Sequence, residues 1–368
     1  MRYFLSGRTY EISSLSPPLD MLFAQLHAAC LGPTPFHWEE FKQTAVQFLA
    51  NTPPRSGLHD AYFGNFTLVW NQLLASGKFD EAETLWEMAL SPALEVEKQH
   101  PGHEIHKGTP YYFWGMTAIL RGDIDKGYAL MHQAVEEDVA TTHTPIPDTP
   151  AYALATLNWV NQNQVFRQWV VSQAQFLNEK QNRYSAFYSR PFTLEDFRKR
   201  FLSSPPSTEN VFLFVYTVAR LMRLGNAPEH TVRSRFAGQL FMSLFCDMLV
   251  TIEAALKSKN PAGRSFIHQA EHLSQKVGDP ISADRLRELN GLFNADFDTT
   301  LTALLNGTFA FPDQTTLSKL QSEIAVAYGL RNKAAHDISP TPAMWERFSE
   351  IMQSLFNVLF AMVDYVYV

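Results

Sequence analysis

The chain has 368 residues, of which 46% are apolar and 18% charged, and its net charge is −7. This composition excludes a disordered or collagen-like chain. The acidic balance, shared by both halves, excludes a module that holds nucleic acid by bulk positive charge. The length predicts two to three domains. Cys30 and Cys246 stand far apart in apolar surroundings, which argues against a disulfide framework and predicts a reducing, cytoplasmic compartment. No uninterrupted apolar run reaches the roughly 18 residues of a membrane span, and residues 1–6 lack the plan of a signal peptide, so no membrane association is expected.

In chain order, residues 2–10 read as extended. Almost everything after them carries apolar residues at helical spacing, and period-2 alternation is scarce. The fold class expected is therefore all-α. Gly77, Phe79, Ala82, Trp86 and Ala89 follow one another in the order glycine, aromatic, small, aromatic, small. This order resembles the turn and second helix of a tetratricopeptide-type hairpin, in which small residues let two helices approach and aromatics fill the space between them. A looser copy runs from Gly122 through Gly127 and Met131 to Ala134. The two turn glycines are not spaced as in a regular array. The expectation is an irregular helical-hairpin region over residues 1–228. A third candidate hairpin at 163–176 matches poorly.

Residues 95–110 and 141–150 read as loops, and residues 203–208 as a break. Residues 211–216 read as part of a buried helix continuing to Met222. Leu224 to Pro228 forms a second break and is taken as the domain boundary. From 229 to 368 the pattern is a helical bundle. A long first helix is expected over 231–259, with Phe236, Leu240, Leu244, Met248 and Ile252 on one stripe. Shorter helices follow at 266–277, 283–293 and 297–305, and another runs from about 316 toward Leu330. A closing helix over 343–365 carries Phe348, Ile351, Leu355, Leu359 and Met362 on one face. Two long helices bracketing shorter ones suit a four-helix bundle with an inserted element.

The segment richest in chemistry is Leu330, Arg331, Asn332, Lys333, Ala334, Ala335 and His336. It lies at the end of one helix, shortly before the closing helix. Imidazole titrates near neutral pH and suits proton transfer in either direction. Guanidinium stays charged and offers a planar fork to phosphate oxygens. Asn332 suits positioning of a phosphate or of the imidazole. On a straight helix, residues five apart lie about 140° apart. One motif therefore needs a frayed helix end after Ala335, or a second chain, to bring both groups to one phosphate.

This segment, with its place late in a helical bundle, resembles the motif of the HEPN family. The resemblance covers residues 229–368 and rests on the motif and the helix order. It implies a metal-independent endoribonuclease with no cofactor, acting on single-stranded RNA as a homodimer joined through the C-terminal bundle. Arg331 and His336 would be catalytic and Asn332 would position the substrate. It further implies a toxin or antiviral-defence setting, with the N-terminal region binding a protein partner or a small-nucleotide regulator. The alternative is a non-catalytic scaffold whose bundle only dimerises. That reading expects His336 to be packed away or paired with Asp337. Arg331 and His336 at a helix C-terminus would then simply complement the helix dipole.

Other signals are weaker. His268, Glu271 and His272 match an inverted zinc-protease spacing, with Glu346 or Glu350 as further ligands, but the segment reads as a solvated helix face. His100, His103 and His106 cluster in a loop without a fixed ligand framework. Arg223 and His230 repeat an Arg-to-His spacing inside the linker. Asp247 and Glu253 are polar positions in an apolar helix, read as solvent-exposed. No phosphate-binding loop, dinucleotide turn or nucleophile elbow is present.

Overall fold

The computed structural model describes all residues except 1, 6–7, 33, 159–163, 204–207, 226–234, 264 and 338; at 3–5, 8, 164–165 and 235–237 it describes the backbone only. The fold is all-α apart from an N-terminal antiparallel pair, β1 (Arg2–Leu5) and β2 (Arg8–Glu11), with Tyr3 opposite Tyr10. Two compact units divide the chain. One holds residues 1–154 and 158–167, the other 155–157 and 168–368. The break expected at Pro228 falls among residues that are not described, and the compact units part earlier in the chain.

The first unit contains α1 (Pro17–Leu31), α2 (Trp38–Asn51), α3 (Gly57–Ala75), α4 (Phe79–Gln99), α5 (Gly108–Arg121) and α6 (Ile124–Glu137). Helices consecutive from α3 to α6 pack against one another. The turns between them hold Gly77 at φ 70° and Gly122 at φ 105°, a left-handed backbone that glycine adopts without steric cost. Ala82, Trp86 and Ala89 are fully buried, as the hairpin pattern expects, while Phe79 is half-buried. Aromatic edges meet aromatic faces in the core: Phe23 touches Phe41 at 5.1 Å and Phe66 at 5.0 Å between ring centres. Such pairs add to simple area burial. The loop expected from residue 95 begins later, because α4 runs on to Gln99 with Pro92 inside it.

Tyr152–Ala155 forms a short α7, and α8 (Gln164–Tyr188) spans the division between the units. The poorly matching hairpin at 163–176 lies mostly in α8, and its first residue is outside the described set. The second unit continues with α9 (Leu194–Phe197), α10 (Thr208–Gly225), α11 (Arg235–Lys259), α12 (Phe266–Val277), α13 (Ala283–Ala295), α14 (Phe297–Asn306), α15 (Lys319–His336), α16 (Pro342–Glu346) and α17 (Phe348–Val366). Helices α11, α12, α15 and α17 all contact one another. The pair α13–α14 is inserted between α12 and α15 and packs on α15.

Ile351, Leu355, Leu359 and Met362 of α17 are fully buried, as expected. On α11, Leu244, Met248 and Ile252 are buried, but Leu240 is exposed and Phe241 and Phe245 take the inward positions. Phe236 is outside the described side chains. Between Gly238 and Lys259, α11 is long and apolar enough by composition to cross a membrane, although no uninterrupted apolar run led to that expectation; 56% of its most apolar window is buried. It packs against α10, α12, α15 and α17, which is the environment of a bundle core helix.

Candidate functional site

The segment Arg331–His336 is held by a helix with a well-defined start. Ser318 caps α15: its Oγ accepts from the Gln321 N–H at 3.1 Å, while Gln321 Oε1 accepts from the Ser318 N–H at 3.0 Å. This reciprocal pair satisfies two amides that the first turn leaves without partners. From Leu320 to Leu330 the helix is buried. Gly329 allows the Phe293 ring to lie directly on the backbone; a Cβ there would sit 2.3 Å from that ring. After Leu330 the helix emerges, and Ala335 and His336 are exposed.

The helix does not fray before the histidine. It is intact through His336, and Asp337 closes it by donating its N–H to Lys333 O at 2.7 Å. Lys333 Nζ donates to Asp337 Oδ2 at 2.7 Å and the Ser339 N–H to Asp337 Oδ1 at 2.8 Å. These two donors, Lys333 first, hold the Asp337 carboxyl well below the usual carboxylate range. A frayed end as a way of uniting the motif is therefore corrected: Lys333 and Asp337 pin the last turn.

Consequently the motif faces two ways. Arg331 turns toward α11, where its Nε donates to Glu253 Oε2 at 3.3 Å. Glu253 also pairs with Lys257 at 2.7 Å. Burial pushes the Glu253 carboxyl up, but the two cations outweigh it and the net shift is downward. Glu253 and Asp247 were expected to be solvated. Both are largely buried, Asp247 accepting from Arg220 at 2.7 Å.

Asn332 turns the other way. Its Nδ2 donates to Asn290 Oδ1 on α13 at 3.0 Å. Together with His336, one turn further on, it lines a cleft of about 600 Å³ bounded by α13, α14 and α15. Asn294 and Phe297 line the same cleft, as do Phe293, Tyr328 and Lys333. Lys333 lies over the Phe297 ring at 5.4 Å. His336 makes no hydrogen bond or ion pair among the described residues, and Asp337 is engaged by Lys333 instead. The scaffold reading's expectation of a packed or Asp337-paired histidine is not met. The enzyme reading's expectation of Arg331 and His336 in one basic cleft is not met within a single chain either.

Composition gave no hint of the α13 contribution. Asn290 and Asn294 stand four apart on one helix face, and that spacing is the signal that was available.

Of the remaining candidates, His268 and Glu271 make contacts in and beside α12. His268 Nδ1 is 2.8 Å from Ser265 Oγ, and Glu271 accepts from the Ala283 N–H at 3.1 Å, tying α12 to the start of α13. No group of three or more metal-ligating side chains occurs among the described residues. The loop histidines are not solvated as a set. His106 is buried between Asp60 and Asp138, 2.7 Å from each, and His103 Nε2 is 3.1 Å from Leu49 O. His230 of the linker pair is outside the described residues. A second buried polar group sits about 20 Å up α15: Glu323 accepts from Tyr188 and, at 2.7 Å, from Asn357, and burial pushes its carboxyl up to about 7. A larger hollow of about 910 Å³, lined by Phe176, Lys180, Trp345 and Phe348 among others, contains no residue of the motif.

Comparison with known proteins adds no relative: no family model, no curated protein and no solved structure matches the chain.

Proposed function

We propose that the chain is a metal-independent endoribonuclease of the HEPN type, acting on single-stranded RNA as a homodimer of its C-terminal bundle. The observation that carries the reading is His336: an exposed imidazole without an internal partner among the described residues, in a cleft beside Asn332. A histidine serving only to close a helix has no need of a cleft. The packing of α11, α12 and α17 around the motif helix α15 supports the bundle of the resemblance.

The chemistry follows from the residue types. One His336 takes the proton from the RNA 2′-OH, which attacks the adjacent phosphorus. The second His336 of the dimer delivers a proton to the departing 5′-oxygen. Arg331 stabilises the added negative charge of the phosphorane. The products are a 2′,3′-cyclic phosphate and a 5′-OH. Because one helix holds Arg331 and His336 about 140° apart, the dimer supplies the missing partner for each phosphate. Restraint of such an enzyme falls to a protein partner or small nucleotide at the N-terminal unit, in a toxin or antiviral-defence setting.

The second reading is a non-catalytic, dimerising scaffold. The ion pair of Arg331 with Glu253 favours it, since the guanidinium already has a carboxylate. Incubation of labelled single-stranded RNA with the full chain in excess EDTA separates the two. Cleavage by the wild type, reduced at least a hundredfold in both Arg331→Ala and His336→Ala, is the expected outcome. Equal cleavage by all three proteins rejects the assigned site.

A further inference from the structure

We propose that the cleft between α13, α14 and α15 is a nucleobase subsite, in which Asn290 and Asn294 select the base next to the scissile phosphate. The inference rests on the ribonuclease reading for its place in the reaction, but its binding chemistry stands on the cleft alone.

The cleft holds no unpaired fixed charge among the described residues. Its cation, Lys333, is spent on Asp337 at 2.7 Å and lies over the Phe297 ring. The other cation of the motif, Arg331, faces α11 and is not part of the lining. A phosphate entering here would meet Asp337 and find no unpaired lysine or arginine in the lining. The groups left to a ligand are the amides of Asn290, Asn294 and Asn332, and the imidazole of His336. Asn332 and Asn290 spend one donor and one acceptor on each other at 3.0 Å. Each amide keeps further hydrogen-bonding capacity, since it carries two donors and an acceptor with two lone pairs. Asn294 is exposed and makes no side-chain hydrogen bond among the described residues.

The apolar lining comes from Phe293, Phe297 and Tyr328. Phe293 and Phe297 lie 5.1 Å apart between ring centres, and Gly329 lets Phe293 seat against α15. A flat, neutral ligand with donors and acceptors on its edge fits such a lining. A nucleobase splayed from single-stranded RNA has that chemistry: proteins read such bases by aromatic contact and by amides on their edges. His336 at the same cleft places the sugar 2′-OH and the phosphate of that nucleotide at its mouth.

The test uses the full chain and neutral probes. Adenosine, guanosine, cytidine and uridine are titrated by saturation-transfer NMR against wild type, Asn294→Ala, Asn290→Leu and His336→Ala. RNA cleavage is measured on the same samples, and circular dichroism verifies folding. The expected result is one nucleoside bound at least about fivefold more tightly than the poorest. Asn294→Ala should lose about tenfold of that affinity, and tenfold excess inorganic phosphate should not displace the nucleoside. Asn294 is exposed, so its variant keeps the test valid if Asn290→Leu, which also loses the Asn332 contact, misfolds. Equal affinity for all four nucleosides, an unchanged affinity in folded Asn294→Ala, or displacement by phosphate overturns the subsite. Selective nucleoside binding without RNA cleavage overturns the ribonuclease reading and leaves the subsite standing. Cleavage without nucleoside selectivity does the reverse.

Discussion

His106 and His59 are neighbours in the N-terminal unit with opposite electrostatic fates. Burial pushes the His106 ring toward the neutral form, but hydrogen bonds donated by the ring to Asp138 and Asp60 outweigh it and raise its pKa to about 9. His59 is fully buried, and neither ring nitrogen has a hydrogen-bond partner among the described residues. Burial, with a smaller contribution from His103, lowers its pKa to about 4. A raised histidine pKa contributes stability that is fully present below 6.5 and lost as pH rises through 9. A lowered one contributes stability present above 6.5 and lost as pH falls toward 4. Together the two residues place their best joint contribution near pH 6.5. Chemical denaturation across pH 4 to 9.5 should show this. His106→Gln should flatten the alkaline limb by roughly 2 kcal/mol, a shift of this size converted and discounted for the half-exposed Asp60. An alkaline limb unchanged in that variant would mean that the two carboxylates do not charge the ring.

Glu323 repeats the lesson in the C-terminal unit. Burial pushes its carboxyl up to about 7, although hydrogen bonds from Tyr188 and Asn357 pull the other way.

Among the elements, α5 and α6 make the closest approach in the N-terminal unit. A Cβ on Gly127 would lie 2.4 Å from Ile119 Cγ1 and 3.0 Å from the Gly115 carbonyl oxygen. The carbonyl belongs to the facing backbone, so the helices themselves must separate to admit it. Gly127→Ala should destabilise by about 1–3 kcal/mol in urea unfolding. Gly64→Ala on α3, where nothing lies within 4 Å of the added carbon, should be neutral or stabilising by up to about 1 kcal/mol. Equal effects at the two sites would remove the close-packing argument. The small-residue pattern after Gly122 was legible because helix contact demands it. The end of α15 was not. Lys333 clasps Asp337 across the last turn and α13–α14 packs on α15; the first pair has the local spacing of a helical ion pair, but the second contact has no signature in local periodicity.

At the scale of the whole molecule, the orientation of the motif sets the expected order of reaction. An unbroken α15 sends Arg331 to Glu253 and His336 to the Asn332 cleft. A site that uses both groups on one phosphate then requires two chains. RNA cleavage per mole of chain should fall on dilution, in step with loss of dimer measured by sedimentation. A constant specific activity from a sedimenting monomer would defeat the composite site. The acidic net charge sharpens this expectation: on the proposed ribonuclease reading, RNA would be held by a small assembled patch and not by a broadly cationic surface.

The amino-acid sequence alone determined the helical class, the bounds of α12, α13 and α14 to within two residues, and the hairpin turns at Gly77 and Gly122. These are local properties: apolar spacing, left-handed glycines and capping residues act within a few turns of chain. Tertiary structure decided the rest. Asn290 joins Asn332 across 42 residues, Glu253 reaches Arg331 across 78, and Asp60, His106 and Asp138 meet from three separate segments. No spacing rule anticipates such meetings, because the packing of whole helices brings these residues together. The same packing sets the burial and the partners that shift each group's pKa, so two carboxylates raise that of His106, read as a loop histidine, and burial raises that of Glu323.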